Sequence, residues 1–461
     1  MKSVTQLTKL SIQFWNKLDQ SWRFATTVFF IARLFYALWS WVVLTIQPIA
    51  VHYVEVGNQP SVSFLNLYTV KAYTYSREIK GTSLTFRPVS KDVVTDLQTG
   101  SLWNIDTGEA IEGAYQGLKL TPGSLPSEMF PYHSAAPYPN AWLALWQRFD
   151  ANWYTSIAEQ GYGSIPGDDH FPPLYPLLIR LAKPIFGNAF IAGLVISHLA
   201  TLYAIKLLLD LFDQWENAKT SRQTVLYFLI YPTSFYLFSA YTESVFLVTA
   251  LLSLRSMKKQ SWAWAGFWAF CAIITRLQGA ALLIPLIYLM WKDRPFIRNP
   301  HHWLGLAIAG TGFLFYIFLR STQVSGNALP FVEPIWHAHL VLPWETYIYA
   351  VRTLFSGEYN RNDVLNFAVV TLFLILLIIG WKKIPLEYNL YTTFSLLIML
   401  IRIVDTQPLI SMSRYSLTLF PSFYILGSTS DNPWKRRVIL YTFIALNLYL
   451  SQEFFSWGWV A

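Results

Sequence analysis

The chain has 461 residues, of which 54% are hydrophobic and only 13% are charged, whereas soluble proteins carry about a quarter charged residues. This composition excludes a soluble globular domain, a disordered chain and a collagen. The formal charge is +8, but the basic residues stand in short clusters between apolar runs, which argues against a nucleic-acid partner. Cys271 is the single cysteine, so an internal disulfide is excluded.

Eleven apolar stretches are long enough, or nearly so, to cross a bilayer core about 30 Å thick. They lie at about 27–49, 189–213, 222–240, 243–257, 262–274, 277–291, 302–320, 364–381, 386–403, 412–428 and 437–453. The sequence therefore predicts an all-α polytopic membrane protein with about 11–12 transmembrane helices. The proline-rich residues 171–187, which include Arg180 and Lys183, are expected to enter the membrane without crossing it.

Clusters of basic residues fall at every second loop, as the positive-inside rule requires of a single topology. They are Lys2 to Arg23, Lys219 and Arg222, Arg255 to Lys259, Lys292 to Arg298, Lys382 and Lys383, and Lys435 to Arg437. This alternation predicts a cytoplasmic amino terminus and an extracytoplasmic carboxyl terminus.

Two pairs of apolar stretches are too short for two full crossings. Only about 33 residues separate the basic clusters at 222–255 and again at 259–292, whereas two crossings need about 40 residues. The turns at 239–244 and 275–279 are therefore expected below the outer membrane surface, in a polar cavity. They carry Glu243 and Arg276. The alternative is that both charges extend from helix ends to the interface.

The polar segments fall mostly on the outer side. Residues 51–140 contain alternating stretches at 62–75 and 83–94 and a hairpin signal at 104–108, which predict a small β-rich insertion after the first helix. A second outer loop, 321–363, holds Glu333, His337 and His339, and a third spans 402–411. No phosphate-binding glycine loop is present. The predicted division is 1–50 for the first helix, 51–140 for the insertion, 141–188 for an outer catalytic segment and 189–461 for the transmembrane domain.

Asp150 lies among Trp146, Phe149, Trp153 and Tyr154 on a helix whose apolar residues recur at three and four positions, as in an amphipathic helix at the membrane surface. A partly dehydrated carboxylate is a good general base for an alcohol, and stacked aromatic rings suit a sugar. The alternative is an interfacial helix with one solvated aspartate.

Asp168, Asp169 and His170 follow a glycine-rich turn and are open to two interpretations, as ligands or as a solvated loop. Adjacent Asp-Asp-His is a weak metal signal, so the loop is favoured, and neither a metal nor a cofactor is predicted.

Six blocks of the sequence, in order, resemble the PIG-V family, the GPI mannosyltransferase II proteins and their prokaryotic relatives. They are Trp146 to Tyr162 with the FPPLYP run at 171–176, the YPTSFY and YTES runs at 231–236 and 241–244, Thr275-Arg276 with Gly279, residues 331–336, Ser411 with Arg414-Tyr415, and the closing residues 459–461. The match is loose in the first span and good over 142–461. Residues 51–140 depart from it as an insertion, and His337 and His339 stand where the family has another pattern.

The resemblance implies a GT-C type fold, with an active site on the extracytoplasmic face. Such enzymes transfer a sugar from a polyprenyl-phosphate lipid with inversion, and an aspartate of the first outer loop is the expected base. Applied to this sequence, the resemblance implies that Asp150 is the catalytic residue and that mannose or a related hexose is transferred to a glycan, lipid or protein acceptor. The partners are this lipid donor, the acceptor and the bilayer, with no nucleic acid.

Arg276 and Arg414 are the candidates to bind the leaving phosphate, because a guanidinium is a planar, permanently charged fork. Glu243 is expected either to bind sugar hydroxyls or to pair with one of these arginines. Aromatic helices at 171–175 and 235–246 are expected to hold the isoprenoid chain. The predicted substrate-binding residues are Trp153, Tyr154, Asp168, Asp169, Tyr175, Glu243, Arg276, Gln278, Trp336, Arg414 and Tyr415.

A multi-spanning transporter or lipid-linked glycan flippase is the alternative function, since such proteins also bury charges among many helices. They often contain paired repeats with broken helices near the midplane, and this sequence shows no repeat.

Overall fold

The computed structural model describes residues 18–57, 59–124, 136–292, 300–322, 338–357, 359–404, 407–429 and 431–460, which are mostly helical. Two compact units are present. The helical unit comprises residues 18–34 and 157–448, and the strand-containing unit comprises 35–156 and 449–460. The α-helices, α1 to α16, are Gln20–Ile46, Ala141–Ala144, Asp150–Gln160, Leu174–Phe186, Ala189–Asp213, Ala218–Leu229, Glu243–Lys258, Trp262–Ile273, Leu283–Lys292, Pro300–Ser321, Pro343–Ser356, Arg361–Gly380, Leu386–Leu400, Met412–Tyr415, Phe420–Ser428 and Pro433–Phe455.

The strand-containing unit confirms the predicted β-rich insertion, which begins at Ile49. Strands β1 to β9 are Ile49–Val56, Gln59–Asn66, Lys71–Ser76, Glu78–Ile79, Thr82–Ser83, Phe86–Pro88, Val93–Asp96, Leu102–Asn104 and Ala110–Glu112. β1, β2 and β3 form one antiparallel sheet, β6 to β9 form another, and β4 pairs with β5. A shared apolar core includes Phe64, Val94 and Trp103.

The predicted alternating stretch 62–75 is two strands, β2 and β3, joined by a turn, and the stretch 83–94 runs from the end of β5 through β6 into β7. Asparagine side chains form two of the turns in this unit. The Asn66 side chain accepts hydrogen bonds from the amides of Tyr68 and Thr69 and turns the chain between β2 and β3. The Asn104 side chain does the same for Asp106 and Thr107, which confirms the predicted hairpin.

Asp96 is a buried carboxylate that organises the second sheet. It accepts hydrogen bonds from the Trp103 indole at 2.9 Å and from the Thr99 hydroxyl at 2.9 Å. Burial alone would raise the pKa of Asp96, but these bonds and those of the Thr99 and Ser101 amides outweigh it and hold the pKa below its usual value. The ionised carboxylate therefore stabilises the fold at neutral pH, and this contribution is lost as the pH falls through the lowered pKa.

The helical architecture confirms the predicted polytopic fold. Among the described residues, five helices are long and apolar enough, by length and composition, to cross a membrane. They are Gln20–Ile46, Ala189–Asp213, His302–Ser321, Arg361–Gly380 and Pro433–Phe455. The other predicted crossings fall on shorter helices, and their crossing remains a prediction. Helix α4 has 13 residues and spans about 20 Å, less than the bilayer core.

Two predicted spans are broken. The stretch 222–240 ends as a helix at Leu229 and continues as a 3₁₀ helix, Ser234–Phe238, because Pro232 disfavours helical backbone at the residue before it. The stretch 412–428 divides into α14, the 3₁₀ helix Ser416–Thr418 and α15. Both breaks place non-helical backbone among buried residues.

The second predicted outer loop contains a helix that the sequence did not indicate. Helix α11 buries Thr346 and Ala350, one turn apart, and exposes Trp344 and Ile348. Strand β10, Ala338–Leu340, pairs with strand β11, Arg402–Val404. His339 is an exposed residue of β10, whereas Glu333, Trp336 and His337 lie outside the described residues.

Helices α8 and α10 pack at backbone contact distance through two glycines. A Cβ atom on Gly266 would overlap the carbonyl group of Gly305, and one on Gly305 would overlap that of Trp262. Small residues at such a crossing let backbones approach closely, which is how helices gain packing energy in a membrane.

Gly266→Ala is expected to destabilise the protein by about 2 kcal/mol or more, because the added methyl group meets backbone that cannot move without separating the helices. Thermal unfolding in detergent measures this as a fall in Tm. Gly310→Ala is the matched control on α10, since its Cβ would have no atom within 4 Å. Equal Tm values for the two variants would contradict the close packing.

Candidate active site

Glu243 and Arg276 form a buried ion pair between the two shortened helix pairs. Arg276 Nη1 lies 2.6 Å from Glu243 Oε1 and donates to the Thr242 hydroxyl at 3.0 Å. The Glu243 side chain is 0% exposed and that of Arg276 7%. Both charges are therefore buried inside the protein and do not extend to its surface. The depth of these turns in the membrane remains a prediction.

Arg414 adds a second cation to the same carboxylate. Its Nε atom lies 3.5 Å from Glu243 Oε1. Of the two predicted roles of Glu243, pairing with arginine is therefore confirmed, and it involves both arginines. Binding of sugar hydroxyls by Glu243 remains a prediction.

Three tyrosine rings surround the two guanidinium groups. The Arg276 guanidinium lies 4.7 Å from the Tyr415 ring centroid, and Arg414 lies 5.1 Å from the same ring. Arg414 is also 5.4 Å from each of the rings of Tyr236 and Tyr241. Cation–π contacts of this kind favour the charged guanidinium in a dehydrated site. We call Glu243, Arg276, Arg414, Tyr236, Tyr241 and Tyr415 the arginine–tyrosine cluster.

Hydrogen bonds between distant segments hold the cluster together. The Thr233 hydroxyl donates to the Ser413 carbonyl at 2.7 Å, and Tyr231 and Ser416 join through their hydroxyls at 2.8 Å. Asn447 donates to the Tyr231 carbonyl at 2.8 Å. Three of the six sequence blocks that carried the family resemblance thus converge on one place in the helical unit.

The turn that presents Arg276 depends on close backbone packing. The Leu174 amide, at the start of α4, donates to the Ile274 carbonyl at 2.9 Å, and this bond joins the start of α4 to the turn. A Cβ atom on Gly279 would overlap the backbone of Ala272 and Ile273. Only glycine therefore fits at the start of the 3₁₀ helix Leu277–Leu282.

Within the cluster, two arginines share the carboxylate of one glutamate. Several buried polar atoms in the cluster and beside it have no hydrogen-bond partner within the described ranges. They are Glu243 Oε2, Ser244 Oγ, Arg276 Nε and Ser413 Oγ. Buried polar groups are usually satisfied by a hydrogen-bond partner. The site can therefore bind an anion that also accepts and donates hydrogen bonds.

Asp150 begins helix α3 and is 8% exposed, and Trp153 and Tyr154 beside it are 1% and 5% exposed. Residues 150–158 are buried on every face of this helix. The prediction of an amphipathic helix at the membrane surface is therefore wrong, as is its alternative of a solvated aspartate. Periodicity reports which face is more apolar, but here the polar face is covered by protein as well.

The carboxylate of Asp168 closes the glycine-rich turn that precedes it. It accepts hydrogen bonds from the amides of Gly163 at 2.8 Å, Ser164 at 3.1 Å and Ile165 at 3.3 Å. Asp168 and Asp169 are both buried in the 3₁₀ helix Asp168–His170, so the loop is not solvated. Across the described ranges, no group of three or more His, Cys, Asp or Glu residues could hold a metal ion.

Of the other predicted substrate-binding residues, Tyr175 is fully buried and its hydroxyl donates to the Gly193 carbonyl at 2.9 Å. Gln278 is partly exposed on the 3₁₀ helix after Arg276. The rings expected to hold an isoprenoid chain, including Phe171, Phe235 and Phe246, are packed in the interior. Their burial argues against an open groove at these rings, and the binding place of the isoprenoid chain remains a prediction.

Sequence reasoning missed Arg148, which precedes Phe149 and Asp150 and is 1% exposed. Its guanidinium binds backbone carbonyl groups of the strand-containing unit. The only signal in the sequence was an arginine inside an aromatic run, which pattern alone reads as an ordinary helix residue.

Residues 170–317 match the family model of dolichyl-phosphate-mannose-protein mannosyltransferase. This part of the chain is similar to a glycosyltransferase family. The match spans about a third of the chain, from His170 to α10, and includes Glu243 and Arg276. The predicted class of enzyme, a membrane glycosyltransferase, is confirmed by it, whereas the finer resemblance to PIG-V remains a prediction. No curated protein and no solved structure matches the chain.

Proposed function

We propose that the protein transfers mannose, or a related hexose, from a polyprenyl-phosphate lipid to an extracytoplasmic acceptor. The two buried guanidinium groups that meet at one carboxylate in the arginine–tyrosine cluster carry this proposal. The phosphate of the lipid donor is an anion that such a pair of cations can bind. Charge-assisted hydrogen bonds from arginine to phosphate are among the strongest in proteins.

The reaction we propose is a single displacement with inversion. An acceptor hydroxyl oxygen attacks C1 of the sugar while Asp150 takes its proton, and the bond from C1 to the phosphate oxygen breaks. The leaving phosphate keeps the bonding electron pair. Arg276 and Arg414 stabilise the charge that develops on it, and Glu243 keeps the two guanidinium groups oriented.

An apolar groove near Arg276 supports a lipid donor. The groove has a volume of about 660 Å³ and is lined by Ala280, Leu283 and Gly310 among others. Ala280 lies four residues after Arg276 along the 3₁₀ helix, which corresponds to a rise of about 8 Å along the helix axis. A phosphate bound by Arg276 could therefore continue into an isoprenoid chain held in this groove, which replaces the aromatic helices expected from the sequence.

The acceptor is a glycan, a lipid or a protein. We assign the PIG-V-like subfamily and the extracytoplasmic face to the protein on the sequence blocks and on the alternation of basic clusters. A flippase would also need a phosphate site, but the family match over residues 170–317 favours transfer of the sugar.

The purified protein in detergent is expected to transfer mannose from polyprenyl-phosphate-mannose and not from GDP-mannose. It is expected to need no divalent metal, because arginine can neutralise a monophosphate leaving group. Radiolabelled donor and a membrane extract as acceptor measure this, with and without chelator. Transfer from GDP-mannose, or a loss in chelator that a divalent ion restores, would overturn the proposed donor. Movement of intact donor across vesicles without transfer would favour the flippase.

A further inference from the structure

Arg148 joins the last helix of the chain to the turn that precedes Asp150. Its Nε and Nη2 atoms both donate to the Phe455 carbonyl, at 3.1 and 2.9 Å, and Nη1 donates to the Ala144 carbonyl at 2.5 Å. The Phe455 carbonyl lies at the end of α16. The last carbonyl groups of a helix have no partner within the helix, and their partial negative charge favours a cation. One buried guanidinium therefore ties two segments about 300 residues apart.

Aromatic rings complete this contact. The Arg148 guanidinium lies 4.9 Å from the Trp457 ring centroid. Phe149 packs against Trp457 at 5.2 Å, against Trp459 at 5.0 Å and against Phe454 at 6.1 Å between centroids. We call Arg148, Phe149, Phe454, Phe455, Trp457 and Trp459 the carboxyl-terminal clasp.

The backbone inside the clasp is strained at two bulky residues. Phe149 has φ +46° and Trp457 has φ +61°, and both values lie in the left-handed region that non-glycine residues rarely adopt. Such conformations persist where surrounding contacts determine them, and they concentrate at functional sites. The strained Phe149 immediately precedes Asp150 and sets the direction in which α3 leaves the turn.

We propose that Arg148 is a positioning residue, which acts through Phe149 and the chain terminus to fix Asp150. This inference rests on the proposed role of Asp150 as general base. The first amides of α3 report whether the turn before Asp150 is intact, because the amides of Ala151 and Asn152 donate to the carbonyls of Arg148 and Phe149, at 3.1 and 2.9 Å. A base that is displaced by about 1 Å can lose about a hundredfold in rate.

The first test is kinetic. Arg148→Lys keeps the charge but loses the planar fork, and it is expected to lower kcat by about 10- to 100-fold while KM for the donor changes less than about threefold. In a protein that already carries Asp150→Asn, Arg148→Lys should change the residual rate by less than about twofold, because the effects of residues that act as one unit are not additive. Trp457→Leu should repeat the loss of kcat, and Trp457→Phe should restore most of it. Arg180→Lys, on an exposed face of α4, is the control.

Hydrogen exchange gives a readout that does not depend on transfer. In Arg148→Lys, the amides of Ala151 and Asn152 should exchange faster than in the unmodified protein, with no change in Arg180→Lys. If Arg148→Lys exchanges faster but the unmodified protein shows no detectable transfer, the clasp still holds the start of α3 and the proposed function is rejected. Unchanged exchange and kcat, or additive losses in the double variant, would overturn the positioning role. If Arg148→Lys does not fold, the two Trp457 variants decide by the same criteria.

Discussion

Asp150→Asn is expected to lower turnover by about 10² to 10⁴, because the amide keeps the shape of the side chain but cannot take a proton from the acceptor hydroxyl. Expression and Tm should change little, since Asn can begin helix α3 as Asp does. Initial rates with polyprenyl-phosphate-mannose at saturating donor measure the effect on kcat.

Glu159→Gln is the matched control for this experiment. Glu159 lies on the same helix, pairs with Lys183 at 3.0 Å and is exposed, so its loss should leave the rate unchanged. A variant Asp150→Asn with near-normal kcat would remove Asp150 from the chemistry. Asp169, which is buried, would then be the next carboxylate to substitute.

Arg276→Gln is expected to lower kcat/KM by about 10² to 10³, since it removes a donor aimed at the phosphate where charge develops. It also leaves the buried Glu243 carboxylate with Arg414, 3.5 Å away. Arg276→Lys should recover part of the rate, because it keeps the charge but not the fork that binds Glu243 and Thr242.

Arg255→Gln is the matched control, because Arg255 lies near the other end of α7 from Glu243 and is about half exposed. Steady-state rates over a range of donor concentrations separate kcat from KM. Normal kcat/KM in a folded Arg276→Gln protein would show that the cluster does not bind the donor phosphate. A Tm that falls while kcat/KM is unchanged would assign Arg276 to the fold alone.

The burial of the turns at 239–244 and 275–279 was predicted from length and charge. Stretches of about 33 residues between basic clusters are too short to cross the bilayer twice, which favoured an interior position for Glu243 and Arg276, although a position at the interface stayed open. The partner of Glu243 could not be predicted in this way. Arg414 follows it by 171 positions in the printed sequence, and only the packing of α7 against the Ser416–Thr418 region brings the two together.

Helix α3 shows where a periodic pattern misleads. Its spacing of apolar residues correctly predicted a helix, but the polar face was assigned to water because the sequence does not show what covers it. In the structure, protein covers that face, and Asp150 is buried with Trp153 and Tyr154. Burial depends on neighbours that are distant in sequence, whereas periodicity depends only on residues within a few turns.

The sequence by itself determined that the chain is a polytopic membrane protein with a β-rich insertion, because hydropathy, basic clusters and turn residues act locally. Tertiary structure alone decided how the functional residues are supported. The Arg148 guanidinium binds the Phe455 carbonyl, 307 positions away, and any residue type can supply a carbonyl group. A contact between a side chain and a distant backbone atom leaves no pattern in the sequence, and for that reason the clasp around Asp150 became visible only in the fold.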